Sequence, residues 1–167
     1  LTKGAGDTGD GPVILGPEYR HLREMDIVDE LDRTSRLVPT GGQLRVRIVA
    51  ESEAPIDYPV FVIRVDNSKG QRMLTLRSPR NELAVTSLQG RNELTCTIPF
   101  LPLAPGEYVL RIALARGEND VETVEQELGF TVRNADTLGD GWGARLGVCV
   151  AQSNWQVSYK GADLPVT

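Results

Sequence analysis

Cys96-Thr-Ile-Pro-Phe-Leu-Pro-Leu-Ala-Pro-Gly-Glu-Tyr-Val-Leu-Arg-Ile-Ala-Leu-Ala115 is followed by an acidic turn and then by Glu127-Leu-Gly-Phe-Thr-Val132. In the second run of this stretch Tyr108, Leu110, Ile112 and Leu114 fall on one parity, and Val109, Arg111, Ala113 and Ala115 on the other. A period of two is the mark of a strand with one buried face. Upstream, Leu94, Cys96, Ile98 and Phe100 alternate with Thr95 and Thr97; downstream, Leu128, Phe130 and Val132 alternate with Gly129, Thr131 and Arg133. The breaks between them carry Pro-Gly and Gly-Glu-Asn-Asp, which are turn formers. The pattern predicts three consecutive strands at the centre of one antiparallel sheet.

The same period extends outward. Leu44, Val46 and Ile48 alternate with Arg45 and Arg47 after a turn at Pro39-Thr-Gly-Gly. Phe61, Ile63 and Val65 alternate with Val62 and Arg64, and this run ends at the turn Asp66-Asn-Ser-Lys-Gly. Met73 to Leu76 reads as the returning strand. Val13-Ile-Leu is a short apolar run, and Tyr19 to Val28 reads as a strand with a bulge, with a helix over Glu18–Leu31 as the alternative. Asp29–Arg36 and Ala54–Tyr58 read as a turn and a loop, and Ser78–Asn92 as a long irregular connection of the kind that often carries function. Gly147 to Tyr159 is a last strand-like run. Seven to nine short strands without a convincing helix predict an all-β fold, an antiparallel β-sandwich of immunoglobulin-like or jelly-roll type.

With 167 residues and 40% hydrophobic content, one domain with a real core is expected. Residues 1–12 read as a flexible linker or an artificial end, 13–160 as the sandwich and 161–167 as a tail. Because the chain starts at Leu1 rather than Met, it is expected to be part of something longer. No apolar run approaches the roughly 18 residues of a membrane span. The net charge is −5, with basic and acidic residues interspersed, which argues against a nucleic-acid surface. The two cysteines are expected to be free, buried thiols in a reducing compartment.

Catalytic signatures are missing. The one histidine, His21, reads as a surface residue, and no G-x-S-x-G elbow or phosphate-binding loop occurs. One His and two distant Cys lack zinc spacing. Asp7-Thr-Gly-Asp-Gly and Asn134–Gly141 offer oxygens suited to calcium but read more simply as turns. Glu118-Asn-Asp-Val-Glu reads as a solvated hairpin turn. No metal and no cofactor are expected.

A surface remains. The outward parity offers Arg64, Arg111, Ala113, Ala115, Gly129 and Thr131, a shallow trough of small residues with an occasional arginine. Either a ligand lies in it or another strand or subunit covers it. Trp142, in the loop Gly139-Asp-Gly-Trp-Gly, is a stacking platform or folds back on the sandwich rim; Trp155 reads as half core.

The order of these motifs resembles the C-terminal domain of Wzt-type proteins, the ATP-binding subunits of bacterial ABC transporters that export O-antigen polysaccharide. The resemblance rests on Pro39-Thr-Gly-Gly-Gln-Leu-Arg-Val-Arg-Ile, Val60-Phe-Val-Ile-Arg-Val-Asp-Asn-Ser-Lys-Gly, Leu103-Ala-Pro-Gly-Glu-Tyr-Val-Leu, Gly129-Phe-Thr-Val and the span Gly139–Trp155. It covers roughly Tyr19 to Gln156. Leu74-Thr-Leu-Arg-Ser stands where the family often has a Gly-Thr-Asn type segment. The resemblance implies a non-catalytic module that binds the non-reducing terminus of an O-polysaccharide. It also implies a cytoplasmic location at the inner membrane, a membrane-spanning transporter subunit as partner through the parent protein, and a homodimer; some members of the family form theirs by exchanging the last strand, and Val148–Tyr159 is the segment that could do so here. Arg64, Arg77, Asn81, Arg111, Trp142 and Trp155 are the expected carbohydrate-binding residues. The alternatives are a structural dimerisation or protein-interaction module and an accessory domain of a glycan-modifying enzyme.

Overall fold

A computed structural model describes residues 11–81, 85–135, 149, 151, 153 and 156. Every regular element among them is a strand. β1 (Val13–Ile14), β2 (Leu22–Val28), β4 (Leu44–Asp57) and β7 (Ser87–Ile98) form one antiparallel sheet in the order β1-β2-β4-β7. β3 (Leu37–Pro39), β10 (Leu128–Arg133), β8 (Gly106–Arg116), β5 (Val60–Asn67) and β6 (Arg72–Arg77) form the other, in that order. β9 (Asn119–Thr123) joins the second sheet by pairing with β8. Only the β3–β10 pair is parallel among the described strands.

The period-two sides face each other across the sandwich. Leu44, Val46 and Ile48 of β4 and Met25 and Ile27 of β2 meet Phe61, Ile63, Val65, Leu110, Ile112, Leu114 and Phe130 of the other sheet in one buried cluster. Each such side chain contributes roughly 1.5–3 kcal/mol when it leaves water. Tyr108 belongs to this core, with its ring stacked on Phe130 at a centroid distance of 5.7 Å. Its hydroxyl donates to the Ala104 carbonyl at 2.6 Å, so the polar end of a buried ring is satisfied within its own turn.

Several expectations are corrected. β7 does not lie beside β8 and β10: it pairs with β4, at the edge of the opposite sheet. Pro99, Pro102 and Pro105 interrupt the ladder between them, because proline has no N–H to donate, and the chain crosses between the sheets there. Leu101 is held in that crossing by its N–H to the Gly42 carbonyl at 2.9 Å. β4 does not stop before Ala54. It continues to Asp57 across a register shift between Ser52 and Ile56. The stretch 87–92, expected to be irregular, is the first half of β7. The acidic run 118–122 is not a turn but mostly strand β9; the turn is tighter, with Gly117 at φ 62° between paired Arg116 and Asn119. Tyr19–Val28 contains a strand and no helix, with the expected irregularity at Leu22/Glu24. Both cysteines are free. Cys96 is half-buried, but Cys149 is exposed rather than buried.

Candidate functional site

The outer face of the second sheet is built from the parity opposite to the core. Arg64 and Arg111 stand directly across from each other on β5 and β8, and Thr75 and Arg77 of β6 share the same side. Neither Arg64 nor Arg111 projects freely. Arg64 forms an ion pair with Asp120 of β9 at 2.8 Å. This hydrogen bond holds the Asp120 carboxyl below the usual range, aided by the Arg64 charge, Thr123 and the charge of Arg77, against the opposing effect of burial. It also raises the guanidinium of Arg64. Arg111 joins Asp66 at 3.0 Å and also contacts Glu127. Asp66 is itself buried and shared with Arg72.

The trough of small residues is closed rather than open. Ala113 and Ala115 are buried, and with Val60 and Val62 they form a second apolar cluster. Of the other small positions, Gly129 is open and Thr131 donates to Glu107. Asn81 is exposed and has an interaction partner of its own. Trp142 and Trp155 lie outside the described residues, as do residues 7–10 and most of 134–141. Of the segment 148–159 only 149, 151, 153 and 156 are described, and Cys149 bridges Leu103. Among the described residues no three His, Cys, Asp or Glu side chains gather to hold a metal ion. Among the described residues there is no helix long and apolar enough to cross a membrane.

A sizeable cavity lies instead at one end of the sandwich. It is an open cleft of about 580 Å³ where three connections converge. The β4–β5 corner supplies Pro55, Asp57, Tyr58 and Pro59; the β6–β7 connection supplies Pro79, Arg80 and Val85; the β8–β9 turn supplies Arg116 and Gly117. Tyr58 is 66% exposed and has φ 49°, a left-handed conformation costly for a residue with a Cβ. Its N–H donates to the Thr86 carbonyl at 2.9 Å, which fixes this conformation against the neighbouring connection. An exposed aromatic ring held in a strained backbone is the kind of feature that functional sites retain. Sequence reading placed residues 54–58 in a plain loop and passed over Tyr58. The available signal was an aromatic residue bracketed by Pro55 and Pro59, which stiffen the corner.

Charge distinguishes this cleft. Arg23, Arg33, Arg36, Arg45, Arg47, Arg64, Arg72, Arg91 and Arg111 each reach a carboxylate. Arg20, Arg77, Arg80, Arg116 and Arg133 reach none among the described residues, and of these Arg80 and Arg116 line the cleft.

The architecture is that of an all-β sandwich domain of immunoglobulin-like type. The chain belongs to the Wzt C-terminal domain family, whose model matches residues 22–141. The crystal structure of the C-terminal domain of Wzt is similar to it, with a TM-score of 0.64 at 15% identity over 86% of this chain and 90% of that one. Two fainter likenesses define no common fold. The alkylpurine DNA glycosylase AlkC of Pseudomonas fluorescens bound to DNA has a TM-score of 0.43 at 14% identity, over 65% of this chain and 30% of that one. The soluble domain of PmoD from a Methylocystis species has a TM-score of 0.34 at 19% identity, over 73% and 97%. No curated protein sequence matches the chain.

Proposed function

We propose that this domain is a non-catalytic carbohydrate-recognition module that binds an O-antigen polysaccharide for export by an ABC transporter. The observation that supports it is the proline-walled cleft with Tyr58 presented at its mouth, on a domain of the Wzt C-terminal family. Sugar rings carry a flat C–H face that stacks on an aromatic plane, while their hydroxyls need planar polar partners. Tyr58 supplies the plane, and Asp57, Arg80 and Arg116 supply acceptors and donors. Arg77, which lines the neighbouring slot between the sheets, and Asn81 follow closely in sequence on either side of the lining residues Pro79 and Arg80. Arg64 and Arg111, each held by a carboxylate, are not among the residues that line the cleft. In the parent protein the domain joins an ATP-binding subunit at the cytoplasmic face of the inner membrane, works with a membrane-spanning subunit, and forms a homodimer.

A second reading, a protein-interaction module, is favoured by a different feature. A slot of about 270 Å³ opens between the sheets, lined by Ile48, Phe61, Ile63, Leu76, Leu94 and Cys96, where β6 and β7 are both sheet edges. Calorimetric titration with polysaccharide from the source strain, beside one from an unrelated serotype, separates the two. Saturable binding of the cognate polymer alone is expected. No heat with either polymer would favour the interaction module.

A further inference from the structure

We infer that the Tyr58 cleft binds a sugar unit bearing an acidic group, carboxylate or phosphate, through Arg80 and Arg116. This rests on the glycan-recognition reading and narrows it to a ligand chemistry.

The two guanidiniums line one cleft from the β6–β7 connection and from the end of β8. Nη2 of Arg80 lies 3.8 Å from where a Cβ on Gly117 would stand, so it reaches across the cleft to the turn that carries Arg116. Gly117 keeps that turn tight at φ 62°, which favours glycine. Two like charges drawn to one mouth repel each other, and this fold supplies neither with a carboxylate partner among the described residues. Nine other described arginines have such a partner, whereas Arg20, Arg77 and Arg133 do not. Among the described lining residues the one acidic side chain, Asp57, hydrogen-bonds neither of them and is free to accept from a sugar hydroxyl. The described lining therefore carries two cations against one anion on a chain whose net charge is −5.

A guanidinium presents paired N–H donors that match the two oxygens of a carboxylate or phosphate, and such charge-assisted bonds are about twice as strong as neutral ones. The cleft, at about 580 Å³, is far larger than an inorganic anion needs. Tyr58 and the proline walls offer apolar surface beside the charges, which suits a ring with an acidic substituent rather than a bare ion.

The test is an NMR titration of the whole chain with glucuronic acid, glucose 1-phosphate, methyl glucoside and inorganic phosphate, alongside the source-strain polysaccharide. It is repeated on Arg80→Gln and Arg116→Gln, two exposed positions whose folding is checked by the unperturbed spectrum. At least one acidic sugar is expected to shift the amides around 57–60 and 116–117 at millimolar concentration, and which one responds separates carboxylate from phosphate. Methyl glucoside is expected to bind roughly tenfold more weakly, and each Arg→Gln change to weaken the acidic sugar by about tenfold, as loss of one charged hydrogen bond predicts. Added salt should weaken the acidic ligand and leave the neutral one unchanged. Equal response to neutral and acidic sugars, no response to either acidic sugar, unchanged affinity in both variants, or inorganic phosphate binding as tightly as the acidic sugars would each overturn the inference. Polysaccharide binding that persists in both variants would overturn it while leaving glycan recognition standing. Acidic sugars that bind where the polysaccharide does not would support the inference and count against O-antigen recognition.

Discussion

Removing the guanidinium of Arg36 is expected to destabilise the fold by about 3 kcal/mol. Asp26, on β2, is 2% exposed, and one of its carboxylate oxygens receives Nη1 of Arg36 at 2.7 Å. The other oxygen receives the Thr34 hydroxyl, also at 2.7 Å. Arg36 further donates through Nη2 to the Gly11 carbonyl at 3.0 Å, tying the first residues of the domain to the sheet. Breaking one side of a buried pair costs roughly 3–5 kcal/mol, because the remaining charge is left in a poor solvent. The lower end applies here for two reasons. Thr34 still serves the carboxylate, and the Arg36 side chain keeps 16% of its surface in water, so solvent reaches the space it vacates. For a chain of this size the loss corresponds to a fall in Tm of about 6–12 °C. Urea unfolding of Arg36→Ala, followed by circular dichroism, should show a lower midpoint with an unchanged slope. The double variant Asp26→Leu/Arg36→Met should regain at least half of the loss, since no charge is then buried. A loss below about 1 kcal/mol in the single variant, or a double variant no better than the single, would refute the reasoning.

Other consequences are smaller. Asp120 has a lower pKa in the fold than in the unfolded chain, so its pair with Arg64 stabilises the protein above the ordinary carboxyl pKa of about 3.9 and ceases to as pH falls through the folded value. Acid unfolding of Asp120→Asn, compared with wild type between neutral pH and pH ~3, should show a weaker pH dependence. Tyr108→Phe should cost about 1 kcal/mol in chemical denaturation by leaving the Ala104 carbonyl without its donor. Gly41→Ala should cost more, because Gly41 has φ 67° and an added Cβ would stand 2.8 Å from the Phe100 ring; a loss of about 2 kcal/mol in the same assay is expected.

The core was legible because alternation is long and clean where one face is buried. Tyr108, Leu110, Ile112 and Leu114 show it, and so do Phe61, Ile63 and Val65. Sheet membership was harder to read, since periodicity says nothing about which neighbour a strand pairs with. The prolines after Ile98 look alike whether they turn a hairpin or carry the chain across the sandwich. β9 escaped notice because Asn119-Asp-Val-Glu-Thr123 is polar on both faces, and its pairing comes from β8 rather than from its own pattern. The outward small residues signalled a face correctly, but Ala113 and Ala115 are packed against Val60 and Val62, which alternation alone cannot distinguish from an open trough. For the site, residue type pointed to arginines in strands, whereas strand arginines here meet cross-strand carboxylates. The arginines without carboxylate partners sit at strand ends or in connections, as Arg77, Arg80 and Arg116 do, and the gathering of Tyr58, Arg80 and Arg116 depends on three segments distant in sequence.

Mapping the polysaccharide contact tests the central claim most directly. Amide shift perturbation of the ¹⁵N-labelled chain by source-strain O-polysaccharide should concentrate at the cleft, around 57–60, 79–80 and 116–117. Tyr58→Gly should abolish those shifts while keeping or slightly raising stability, since glycine accepts the left-handed φ without strain. Shifts confined to the β6–β7 edge slot, or full binding by Tyr58→Gly, would contradict the account.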